Sequence, residues 1–112
     1  MSILADLRAV LSLTGIPVET GVFSETPPEQ YIVIVPMAGT FELHADNAPG
    51  VDVQEARISI YSQGSYTAAK DAAVRALLSC DFTITARQYI GYEPDTGYHH
   101  YNIDAAKYYE WS

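Results

Sequence analysis

His99 and His100 stand side by side, with Glu93, Asp95 and Asp104 a few positions away and His44 farther up the chain. Imidazoles and carboxylates together could ligate a metal or exchange protons with a substrate. Neighbouring residues of a strand project to opposite faces, so an unbroken strand through this pair denies one ion both rings. Spacing therefore predicts no metal centre. Cys80 closes a helical stretch, where the carbonyl end of the dipole disfavours a thiolate nucleophile, and it reads as a small buried hydrophobe. The seven glycines are dispersed and form no phosphate-cradling loop, and no serine has the setting of a nucleophile elbow. Arg87 and Tyr89 on one strand could stack a base, yet six basic residues are too few for a nucleic-acid footprint. The residues point to no catalytic, metal or cofactor site, and the chain is expected not to be an enzyme.

The elements that would carry these residues follow from periodicity. Ile3, Leu4, Leu7, Val10 and Leu11 recur at helical spacing, Gly15 offers a left-handed cap and Pro17 prevents resumption. A short strand is available over Val18–Phe23, and the polar, twin-proline stretch Ser24–Gln30 is an exposed loop. Tyr31–Val35 is β-branched at successive positions, as in a central strand buried on both faces, and Pro36 ends its pairing. Phe41, Leu43 and Ala45 alternate with polar residues up to the breaker Asn47-Ala48-Pro49-Gly50, which predicts a hairpin. In the following strand Val51 and Val53 differ in parity from Ala56, Ile58 and Ile60. A bulge between Val53 and Ala56, or a change of packing partner, would reconcile them, and a bent strand is expected.

Ser65–Ser79 reads as an alanine-rich helix, with Ala69, Ala72, Ala73, Ala76 and Leu77 on one face, Val74 and Leu78 widening it, and Asp71 paired with Arg75. Phe82, Ile84, Ala86 and Ile90 alternate as a strand, and Glu93-Pro94-Asp95-Thr96-Gly97 turns the chain into a return strand. There His99, Tyr101, Ile103 and Ala105 share one face, and Tyr98, His100, Asn102 and Asp104 the other. The expected fold class is α+β: a mixed, mostly antiparallel sheet of about four to six strands with two helices packed mainly on one face. Residues 1–112 form one domain, with Ile32, Ile34, Ile58, Ile60, Phe82 and Ile84 in its core.

Six Lys and Arg against 14 Asp and Glu leave a net charge of −8, which repels phosphate backbones and anionic lipid. One cysteine closes no intrachain disulfide, and the amphipathic Met1–Leu13 stretch is neither a signal peptide nor a membrane span, so cytosolic synthesis without processing is expected. Nine tyrosines are present, six of them after residue 88. Such rings suit subunit interfaces and sheet surfaces alike. The closing run Lys107-Tyr108-Tyr109-Glu110-Trp111-Ser112 holds too much aromatic area to be left in water.

Two stretches carry a family resemblance. Phe41-Glu42-Leu43-His44-Ala45-Asp46-Asn47-Ala48-Pro49-Gly50, followed by Val53-Gln54-Glu55-Ala56-Arg57 and Ile60-Tyr61-Ser62, resembles the tail-terminator or tail-completion proteins of long non-contractile-tailed bacteriophages and prophages. Phe82-Thr83-Ile84-Thr85, then Tyr92 to Tyr101 and Ile103-Asp104-Ala105-Ala106-Lys107, is similar to the closing hairpin of that group. The resemblance implies a structural protein, without cofactor, forming a ring of six subunits. Such a ring caps the head-proximal end of the tail tube, stops tube growth and meets the head connector. Partners would be further copies, the tail-tube protein and a head connector or stopper, with DNA passing through without sequence-specific binding and no membrane involved. The protein would assemble in the host cytoplasm and reside at the head–tail junction. A head-side connector or stopper of the same virion is the runner-up. Candidate subunit or partner contacts are Glu25, Pro27, Pro28, Asp46, Asn47 and Pro49 from the loops, and Tyr92, Tyr98, His100 and Trp111 from the aromatic end.

Overall fold

The computed structural model describes residues 2–22, 26–37, 40–43 and 49–110, with the side chains of 40–43 and 49 left aside. Helix α1, Ile3–Leu11, starts where the Ser2 hydroxyl accepts the Leu4 N–H at 3.2 Å, and it buries Ile3, Leu7 and Leu11, one per turn. A 3₁₀ turn at Ser12–Thr14 extends it until Gly15, at φ +78°, reverses the chain as expected. The strands are β1 Val18–Thr20, β2 Gln30–Pro36, β3 Thr40–Leu43, β4 Pro49–Ser62, β5 Thr83–Glu93 and β6 Tyr98–Glu110, with helix α2, Thr67–Ser79, between β4 and β5.

The six strands form one sheet in the order β1-β2-β4-β6-β5, with β3 also paired to β4. Among the described residues only β1 and β2 run parallel. Both helices lie on one face, where α1 and α2 close over Ile32, Ile34, Ala56, Ile58, Ile60, Ile103 and Ala105 in a common core. The α+β class and the face-sided helices match the sequence expectation. Of the expected core residues Ile84 is half-buried, and the other five are buried.

Several local expectations are corrected. β4 runs in unbroken register against β6 from Val51 to Ser62, so no bulge separates Val53 from Ala56. What changes is the neighbour on its other edge, β3 up to Val53 and β2 from Ala56 onward. β4 is therefore the central strand. β2 is dry on the helix side, whereas on its other face, which no helix covers among the described residues, Val33 is buried and Val35 is 39% exposed. β5 carries two register shifts, between Ile84 and Ala86 and between Tyr89 and Gly91. Each extra residue reverses the parity, so Ala86 leaves the Ile84 face and Arg87 and Tyr89 turn to the helix side. Leu78, about 100° round the helix from Leu77, points away from the sheet and is 60% exposed. Asp71 meets Lys70 at 3.5 Å instead of Arg75.

Candidate functional site

The helix-free face of the sheet gathers the side chains whose placement bears most on function. Register brings them together. Tyr31 of β2 lies opposite Tyr61 of β4, and Tyr61 lies opposite His100 of β6, so three rings stand in one row across three strands. Tyr31 and Tyr61 stack with centroids 4.8 Å apart, and Tyr61 stacks on His100 at 4.3 Å. Two positions before His100 on the same face, Tyr98 sets its ring edge-on to Tyr31 at 5.4 Å and to Tyr61 at 6.4 Å. Its hydroxyl donates to the Pro28 carbonyl at 2.6 Å, with the Pro27 carbonyl at 3.3 Å. That bond ties the proline loop to the aromatic row.

The next rows are polar. Ser59 and Asn102 face each other and bond at 2.9 Å, and Arg57 grips Asp104 through two bonds of 2.9 and 3.1 Å. A cleft of about 440 Å³ opens at the aromatic end, floored by Tyr31, Tyr61 and Tyr98, walled by Val22 and Pro27, and rimmed by Glu93.

Electrostatics follow from this packing. Burial, then the Tyr61 and Tyr98 rings and the Glu93 carboxylate, push the Tyr31 phenol up to about 12. Burial and Glu93 raise Tyr61 as well. Desolvation beneath Tyr61 lowers the His100 imidazole despite a bond to Asn102, and its Nε2 is buried without a hydrogen-bond partner. Tyr31 and Tyr61 thus stay protonated near neutral pH, and Glu93 is the acidic residue among those that line the cleft.

His99 belongs to the opposite face, as a strand through the pair requires. There Tyr66 stacks between Tyr89 at 5.2 Å and Tyr101 at 5.5 Å, Tyr89 Oη bonds His99 Nδ1 at 2.9 Å, and Tyr92 leans on His99 at 4.8 Å. Asp104 is occupied by Arg57. Among the described residues no group of three or more His, Cys, Asp or Glu side chains could hold a metal ion. Cys80 is half-buried against the core. A shallower depression of about 330 Å³ between α1 and β1, lined by Arg8, Ser12, Gly15, Ile16, Pro17 and Val18, gathers no second titratable group.

Of the contact candidates, Tyr98 and His100 lie in the aromatic row, Pro27 lines the cleft and Pro28 accepts the Tyr98 bond. Tyr98 is only 8% exposed and its hydroxyl is engaged within the chain, so it supports the cleft from beneath. Tyr92 is 53% exposed but on the helix side, away from the others. Pro49 opens β4. Glu25, Asp46, Asn47 and Trp111, like His44, fall outside the described residues. Tyr31, Tyr61 and Glu93 complete the site without having been singled out as contacts. The register of strands about thirty to forty residues apart reveals Tyr31 and Tyr61, and the β5–β6 hairpin brings in Glu93.

No family model matches the chain. No curated protein matches it either. Among solved structures, it resembles a chain in the virion of the native gene transfer agent particle, with a TM-score of 0.65 and 16% sequence identity over 98% of this chain and 92% of that one. At that identity the likeness is one of fold, and it spans nearly the whole chain.

Proposed function

We propose that this chain is a structural subunit of a phage-like virion and serves as its tail terminator. The carrying observation is the fold shared, over nearly the full length of both chains, with a component of a gene transfer agent virion. The resemblance of the hairpin strings to tail-completion proteins narrows that to the ring that caps the head-proximal end of the tail tube, ends its growth and joins it to the head connector. A protein of this kind works by contact, and contact surface is what this chain supplies. It offers an open sheet face with an aromatic cleft, an outer strand β5 with one edge unpaired among the described residues, and exposed Tyr89, Ile90 and Tyr92 along that strand. A six-membered ring of chains with a charge of −8 each carries about −48, so counterion release gives DNA no reason to adhere as it passes.

Electron microscopy of the purified protein, alone and mixed with its tail-tube protein, tests the reading. Sixfold rings, seated on one end of each tube, are expected. Decoration along the tube wall, or binding only to the head-side connector in the absence of tubes, would replace the terminator role with another.

A further inference from the structure

Six basic residues serve a chain with 14 acids, and four of them are engaged at home. Arg8 pairs with Glu19, Arg57 with Asp104, Lys70 with Asp71 and Lys107 with Asp6. Arg75 and Arg87 are exposed and form no ion pair among the described residues. Arg75 lies on helix α2, and the Asp71 one turn back is taken by Lys70. Arg87 differs in place: Ile103 lies opposite it on β6, and its strand is the outermost of the sheet, where a neighbouring subunit can reach it.

The cleft has the opposite imbalance. Glu93 is exposed at its rim and pairs with no cation among the described residues, yet its field reaches Tyr31, Tyr61 and His100. A carboxylate beside tyrosine rings suits a guanidinium, which can pair with the acid and lie against a π face at once. His100 beneath Tyr61 adds no competing positive charge while it is neutral. Glu93 and Arg87 cannot satisfy each other within one chain. They sit on the same strand about 20 Å apart, with Glu93 beside Tyr98 on the open face and Arg87 beside Ile103 on the helix face.

We infer that the cleft formed by Tyr31, Tyr61, Tyr98 and Glu93 receives the Arg87 guanidinium of a second copy of this chain. The inference rests on the ring reading above and names one contact within it. Cleft and arginine are different patches, so the contact is head-to-tail, and repetition of it closes a ring or extends a filament. Chains of −8 repel one another at a distance, and a cation entering an acidic aromatic cleft supplies attraction where the subunits touch.

The test is a charge swap read by sedimentation velocity. The wild type, Glu93→Arg, Arg87→Glu, Arg75→Glu and the double variant Glu93→Arg/Arg87→Glu are compared at equal concentration, with circular dichroism confirming the fold of each. The wild type should form rings, Glu93→Arg and Arg87→Glu should each weaken association at least about tenfold, Arg75→Glu should leave it intact, and the double variant should recover it. Rings that persist in both single variants, or that break with Arg75→Glu and not with Arg87→Glu, would overturn the contact and leave the ring reading standing. A wild type that stays monomeric, with and without tube protein, would remove both.

Discussion

Along β4 the residues alternate between two environments. Ala56, Ile58 and Ile60 are fully buried beneath the helices, while Arg57, Ser59 and Tyr61 look onto the face that no helix covers. The helix side is held by aliphatic area, contributed by both helices and three strands, and area has no direction. On the open side neighbours across the strands are matched in pairs: Tyr31 with Tyr61, Tyr61 with His100, Ser59 with Asn102, Arg57 with Asp104. Directional pairs keep that face ordered without a covering layer. One face makes the fold stable, and the other can remain presentable to a partner.

The largest effect of a single change belongs to the helix side. Ile34 is fully buried, and Ile34→Ala should cost about 2–5 kcal/mol by lost burial and the residual cavity, measured by urea unfolding. A loss within about 0.5 kcal/mol would erase the contrast between the faces. On the open side Tyr98→Phe removes one hydroxyl and its bond to the proline loop. It should cost about 1 kcal/mol and make the chain near Pro27 and Pro28 easier to cleave in limited proteolysis. An unchanged cleavage rate would mean that the loop is held by something else.

A pH titration sharpens the same contrast. The His100 pKa lies below its ordinary 6.5 in the folded chain, chiefly through desolvation, so the unfolded chain binds the extra proton first. Its contribution to stability is complete above that ordinary value and is lost as pH falls through the lower, folded one. His100→Gln should flatten the wild-type decline on acidification below about pH 6.5. Parallel wild-type and variant profiles would count against a buried neutral imidazole. The smallest effect is expected at Arg57, whose side chain is about half in water although that of Asp104 is largely covered: Arg57→Ala should cost about 1 kcal/mol, measured in the same unfolding assay.

Much of the helix side was legible in the sequence, because periodicity alone fixes which residues of a helix or regular strand face the core. Ile3, Leu7 and Leu11, the Gly15 cap and the opposed faces of His99 and His100 all follow from local rules. The bulges of β5 do not. They depend on how β5 fits β6, where Thr85 Oγ1 reaches back to the Asp104 carbonyl at 3.2 Å and Gly91, at φ +157°, follows the second shift. The candidate site is farther still from local rules. Tyr31 and Tyr61 read as ordinary strand residues until the register sets them side by side, and Glu93 reads as a turn residue until the β5–β6 hairpin lifts it to the cleft rim.

The proposed role, ending tube growth, is measured most directly by elongation of preformed tail tubes. Short tubes are incubated with this protein, fresh tube subunits are added, and length is followed by electron microscopy. Tubes bearing the protein are expected to stop lengthening at the capped end while bare tubes continue. Equal growth of capped and bare tubes would contradict it.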